Sequence, residues 1–108
     1  MVIIETSIFT KRISILLNDE DYRALQNHLV DIPGSGEIIQ GSGGIRKIRW
    51  GASGREKRGG ARIIYFWATR RSQIFMLYAY AKNERGDLSK DQLSMLRKAV
   101  ASEFEDEK

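Results

Sequence analysis

Of the 18 lysines and arginines in this 108-residue chain, nine fall between Arg46 and Arg71, where the sole acid is Glu56. That interval carries net +8 while the rest of the chain, with nine basic and thirteen acidic residues, carries −4. Long cations gathered in one interval attract polyanions, because each phosphate they neutralise releases condensed counterions. A surface that is merely soluble would mix both signs. Ile45 to Trp50 reads as a strand, whose alternation sends Lys47 and Arg49 to one face and Arg46, Ile48 and Trp50 to the other. Lysine that guards a sheet edge explains one such residue, but not the cations that follow. The segment Gly51 to Gly60 sets Arg55, Lys57 and Arg58 among four glycines. That composition lets backbone amides approach phosphates while cations wrap them, although a flexible, solvated loop has the same composition. The P-loop spacing G-x-x-x-x-G-K-[ST] is absent.

Arg62 opens the next apolar run and Lys82 closes the one after it, so an antiparallel hairpin would bring them to the same end. Cations converging there could cleave RNA without a metal. They would stabilise the charge growing on a phosphorane as the ribose 2′-hydroxyl attacks in line, and that hydroxyl would separate RNA from DNA as substrate. Among the nearby aromatics, Trp50, Tyr65 and Tyr78 read as core, while Tyr80, beside Lys82, is the candidate for stacking on an exposed base. His28 lies at the margin of a helical apolar stripe and reads as structural. Glu84 is a candidate general base, against the reading of a solvated loop carboxylate.

Composition narrows the alternatives. Without cysteine and with one histidine, disulfide frameworks and thiolate or nitrogen-ligand zinc centres are excluded or disfavoured, so no metal or cofactor is expected. The first 17 residues interleave apolar side chains with Glu5, Lys11 and Arg12, which offers neither a signal-peptide core nor a membrane span, so a cytoplasmic protein with no membrane partner is expected. With 42% hydrophobic and 30% charged residues the chain falls in the globular class, and its length suits one domain over residues 1–108.

The elements that must position these side chains are legible in outline. Val2 to Glu5 reads as a short strand, and Asn18 caps a helix with Asp19, Glu20 and Asp21 in its first turn, ended by Ile32 and Pro33. Nine of the ten glycines fall between Gly34 and Gly60, which predicts turns around the one strand Ile45 to Trp50. Ala61 to Ala68 and Gln73 to Ala81 read as the central strands, joined at Thr69 to Ser72. Their near-continuous apolar runs predict a helix on one face and a partner or tightly packed loop on the other. Ser89 with Gln92 forms a capping box for a last helix carrying Leu93, Leu96, Val100 and Phe104 on one face, before an acidic tail through Glu107.

Three ordered motifs carry a family resemblance: Gly41 to Arg49 (GSGGIRKIR), Lys57 to Tyr65 (KRGGARIIY) and Tyr78 to Glu84 (YAYAKNE). Together they resemble the RelE/HigB-like toxins of type II toxin–antitoxin systems, on the HigB side, over nearly the whole chain. The resemblance implies a small α+β RelE-like fold, an antiparallel sheet packed against N-terminal and C-terminal helices. It implies a ribosome-dependent mRNA endonuclease that enters the 30S decoding site, halts translation and is silenced by a cognate antitoxin, with operator DNA met only through that antitoxin. On it, Lys47 and Arg49 correspond to the strand cations that contact and activate the substrate. Arg62 corresponds to the cation stabilising the transition-state phosphate, and Lys82 to the basic residue closing the last strand. Arg46, Arg55, Lys57, Arg58 and Tyr80 would contact RNA. The chain departs from the best-known RelE pattern at Asn83, which replaces a second basic residue, and has no tyrosine between Asn83 and Leu93. The competing reading is a non-catalytic RNA- or DNA-binding module of a toxin–antitoxin complex; a scaffold for a protein partner is a third.

Overall fold

A computed structural model describes residues 1–51, 60–84 and 86–104. The chain runs β1 (Val2–Glu5), α1 (Ser7–Leu16), α2 (Asp19–Asp31), β2 (Glu37–Ile38), β3 (Ile45–Trp50), β4 (Ala61–Ala68), β5 (Gln73–Ala81) and α3 (Lys90–Glu103). The five strands form one sheet in the order β1-β5-β4-β3-β2. Pairing is antiparallel throughout except that β1 runs parallel to β5, which makes the sheet mixed. The α+β class and the helices at both ends agree with the sequence reading. Among the described residues no helix is long and apolar enough to cross a membrane.

Each face of the sheet has its own core. On one, Ile63, Tyr65, Ile74 and Met76 meet Phe9 and Ile13 of α1 and Leu25 and Leu29 of α2. On the other, Ile45, Ile64, Phe66 and Leu77 meet Val100 and Phe104 at the end of α3. Helices therefore cover both faces, where the sequence predicts a helix on one only. The near-continuous apolar run of β4 is the direct consequence, since a strand buried on both sides has no reason to alternate.

Helix α1 is not anticipated from the sequence. Its β-branched residues lower helix propensity, but Phe9, Ile13 and Leu17 recur every four residues, and the Thr6 hydroxyl accepts the Phe9 amide as an N-cap. Packing of that apolar stripe overrides the propensity. The capping predictions for α2 and α3 hold: Asn18 accepts the Asp21 amide, and Ser89 and Gln92 bond reciprocally. The β4–β5 connection is a 3₁₀ turn over Thr69–Arg71, closed by Ser72 in the left-handed region at φ 53°. Strand β2 is a two-residue pairing within the glycine-rich interval.

The feature that most affects the site is a one-residue irregularity between β4 and β5. Ile64 pairs with Tyr78 but Tyr65 pairs with Met76, so Leu77 is an extra residue in the ladder. A bulge of this kind shifts the inside–outside alternation by one. Without it Tyr78 and Tyr80 would face α1 and α2; with it they share the α3 face with Leu77.

Candidate nucleic-acid interface

Strand register assembles the cations row by row. Arg49 lies directly opposite Arg62 across β3 and β4, and Arg62 lies opposite Tyr80 across β4 and β5. One pleat away, Lys47, Ile64 and Tyr78 form a parallel row. Ile45 and Ile64 belong to the core beneath α3, so alternation puts Lys47, Arg49 and Arg62 on that same face. Helix α3 covers the end of this face near Phe66 and Phe75, where Phe104 packs against both rings. The cation rows lie toward the other end.

Two of these side chains are held in ways the sequence did not signal. Arg62 is only 8% exposed, and its Nη1 donates to the carbonyl of Gly60 at 3.4 Å. The backbone amide of Lys82 donates to the same carbonyl at 3.4 Å, which joins the start of β4 to the end of β5. Gly60 has to be glycine there, because a Cβ would come within 2.9 Å of the Trp50 carbonyl oxygen. Lys47 forms an ion pair with Asp87 at 2.7 Å, an exposed carboxylate reaching in from the segment before α3. Asp87 is a site residue that sequence reasoning missed, since nothing in its local spacing relates it to a lysine forty positions earlier.

A cross-strand arginine pair with one member nearly buried works against stability. Like charges directly opposite on a sheet repel, and a guanidinium withdrawn from water loses hydration. Positions that break the local rule for strand pairing are expected at functional sites more than in a scaffold. A phosphate between Arg49 and Arg62 would relieve the repulsion.

The remaining candidates divide. Lys82 is exposed at the end of β5, next to the row of Arg62 and Tyr80. Arg46 lies on the opposite face, where its Nη1 donates to the carbonyls of Gly34 at 3.2 Å and Gly36 at 2.8 Å. The structure does not bring it to the other cations; it ties down the turn before β2. Arg55, Lys57 and Arg58 lie outside the described residues, as does the acidic tail beyond Phe104. Tyr80, the ring expected to stack on a base, is fully buried beneath the α3 face and offers no open ring surface. Half-buried Tyr78 does border the site, with the Arg12 guanidinium 5.3 Å from its ring centre. Glu84, considered as a base, is paired with Arg12 and accepts the Ala81 amide at 2.9 Å. His28 contacts the Trp50 ring on the α2 side, 5.2 Å between centres, which suits its structural reading.

No local sequence rule pairs strand arginines face to face; only a common scaffold explains why the motifs from Gly41, Lys57 and Tyr78 converge on one row. The family profile of the RelE toxin of the RelE/RelB toxin–antitoxin system matches residues 34–108, which span β2 through α3 and every cation of the row. This chain therefore belongs to the RelE toxin family, the toxins of RelE/RelB toxin–antitoxin systems.

Proposed function

We propose that the protein is an mRNA endonuclease that acts on the translating ribosome. The observation that carries this reading is the opposed pair Arg49 and Arg62, with Arg62 8% exposed at the floor of the row. In a site shielded from water, a fixed cation stabilises developing negative charge far more than it would in solvent, and it needs no reorganisation as the charge appears. The ribose 2′-oxygen gives up its proton to water as it attacks the adjacent phosphorus in line, and the bond to the 5′-oxygen breaks as that oxygen takes a proton from water, leaving a cyclic phosphate on one fragment and a 5′-hydroxyl on the other. Arg62 stabilises the phosphorane, Lys47 and Arg49 hold and orient the scissile phosphate, and Lys82 contacts the flanking backbone. The chemistry requires no metal. The role of the ribosome is to present the message in a strained, in-line geometry, a service that this small row of cations does not supply by itself.

Membership of a toxin family implies a cognate antitoxin, and operator DNA would be met through that antitoxin. The absence of tyrosine between Asn83 and Leu93, with Asn83 following Lys82, supports the HigB side of the family.

The test is to map 5′ ends of a labelled message in a purified translation reaction, with and without ribosomes, for wild type and Arg62→Ala. Cuts that require ribosomes and fall by about 10²- to 10³-fold in the variant are expected. An intact message at inhibitory protein concentrations would overturn the nuclease reading and leave a non-catalytic RNA-binding module as the better account.

A further inference from the structure

Strand β1 pairs with β5 only from Gln73 to Met76. Beyond Met76 the outer edge of β5 has no strand beside it among the described residues, yet this is the half that carries Tyr80 and leads to Lys82. Exposed edges fray and leave backbone groups unpaired. Here side chains take the place of a strand at every second residue. The Thr6 hydroxyl donates to the Leu77 carbonyl at 2.9 Å, Arg12 Nε donates to the Ala79 carbonyl, and Glu84 Oε1 accepts the Ala81 amide at 2.9 Å. Arg12 also pairs with Glu84, which joins the Ala79 and Ala81 contacts into one clasp, and the Glu84 amide returns to the Ala81 carbonyl at 3.0 Å.

We propose that Arg12 and Glu84 are positioning residues for the cation row, acting through the backbone of Ala79 and Ala81 to hold the end of β5 in register with Arg62. The proposal rests on the nuclease reading above and assigns neither residue a contact with RNA. A guanidinium suits this task because its planar fork engages a carbonyl through Nε and a carboxylate through a terminal nitrogen at once. Glutamate suits its own because one carboxylate oxygen serves both the Arg12 fork and the strand amide. If the clasp opens, Lys82 loses its register with Gly60 and Arg62, and a displacement of about 1 Å in such a row can lower a rate by about a hundredfold.

The experiment compares Arg12→Gln, Glu84→Gln and Glu84→Ala with wild type. It measures the single-turnover cleavage rate on programmed ribosomes, the Kd for a short RNA, the melting temperature, and amide exchange at Ala81 and Lys82. The expected result is a fall in rate of about 10- to 100-fold, well beyond any accompanying rise in Kd, with faster exchange confined to the end of β5. Glu84→Gln, which keeps an acceptor for the Ala81 amide, should lose less than Glu84→Ala. Wild-type rates in all three variants would overturn the proposal while leaving the nuclease reading intact. So would losses that track Kd or melting temperature, since these mean a binding or folding role. A wild-type protein that cuts nothing fails the nuclease reading itself, which separates the two outcomes.

Discussion

Arg49 and Arg62 face each other across neighbouring strands, and among the described residues neither forms an ion pair. Opposed like charges on a sheet destabilise it by a few tenths to about 1 kcal/mol. Arg49→Gln, which keeps most of the side-chain stem, is therefore expected to raise the melting temperature by about 2–4 °C while weakening RNA binding. Thermal melting paired with a binding assay checks both; a variant less stable than wild type would show that the repulsion is already relieved. Asp87 makes the complementary case. Its carboxylate holds Lys47, so an incoming phosphate must displace it. Because the pair is well exposed, its contribution to stability is small and salt-screened. Asp87→Asn should leave melting within about 1 °C and tighten RNA binding several-fold at low salt, an effect that fades as salt rises. Filter binding across a salt series distinguishes this from a general change of affinity.

Between helix and strand, the segment Pro33 to Gly36 is fastened to β4 by one phenol. The Tyr65 hydroxyl donates to the Pro33 carbonyl at 2.7 Å and accepts the Gly36 amide at 2.9 Å. Gly36 leaves no room for a side chain, since a Cβ would stand 2.8 Å from that hydroxyl and 3.0 Å from the Lys47 carbonyl oxygen. Tyr65→Phe strands both backbone groups and is expected to destabilise the fold by about 1–3 kcal/mol, measurable by denaturant titration. The same phenol predicts a pH dependence. Burial, the largest cause, raises its pKa above the ordinary 10, and burial followed by hydrogen bonding to Glu5 raises that of Tyr22 as well. Folding thus favours the protonated phenols. Their contribution is complete below pH 10 and is lost as pH rises through the unfolded-state value toward the folded-state values. Melting temperature should stay level from pH 7 to 9 and fall above about 10. Tyr22→Phe should flatten that alkaline limb; an unchanged limb would assign it to other groups.

Across the whole molecule, charge is segregated as well as abundant: net +8 from Arg46 to Arg71 faces −4 elsewhere. Lys47, Arg49 and Arg62 share one side of the sheet with Lys82 just past the end of β5, while Arg46 is turned to the other side and committed to the Gly34 and Gly36 carbonyls. RNA affinity should therefore fall with salt at a slope that each of the four cations sets by about 0.7 per phosphate contact on single strands. Replacing Lys82 with alanine should reduce the slope by about that amount, whereas Arg46→Ala should leave it unchanged and lower stability instead. An equal loss of slope from Arg46→Ala would mean that this arginine also reaches the nucleic acid.

The sequence by itself determined whatever depends on local pattern. Capping chemistry at Asn18 and at Ser89 with Gln92 placed two helix starts, β-branched and aromatic runs placed the three long strands, and alternation put Lys47 and Arg49 on one face with Arg46 on the other. Three ordered motifs carried the family. What only the tertiary structure decided was whatever depends on partners distant in the chain. Helix α1 forms because Phe9 and Ile13 find a sheet face to bury, against their local propensity. The parallel pairing of β1 with β5 leaves half of β5 without a strand beside it, and only then do Arg12 and Glu84 acquire a function. The extra residue at Leu77 reverses the phase of β5, so that Tyr80 joins the side of the cations but lies buried in the core. Periodicity of two is a local rule, and a single bulge, fixed by how two sheet faces pack against their helices, resets it for every residue that follows.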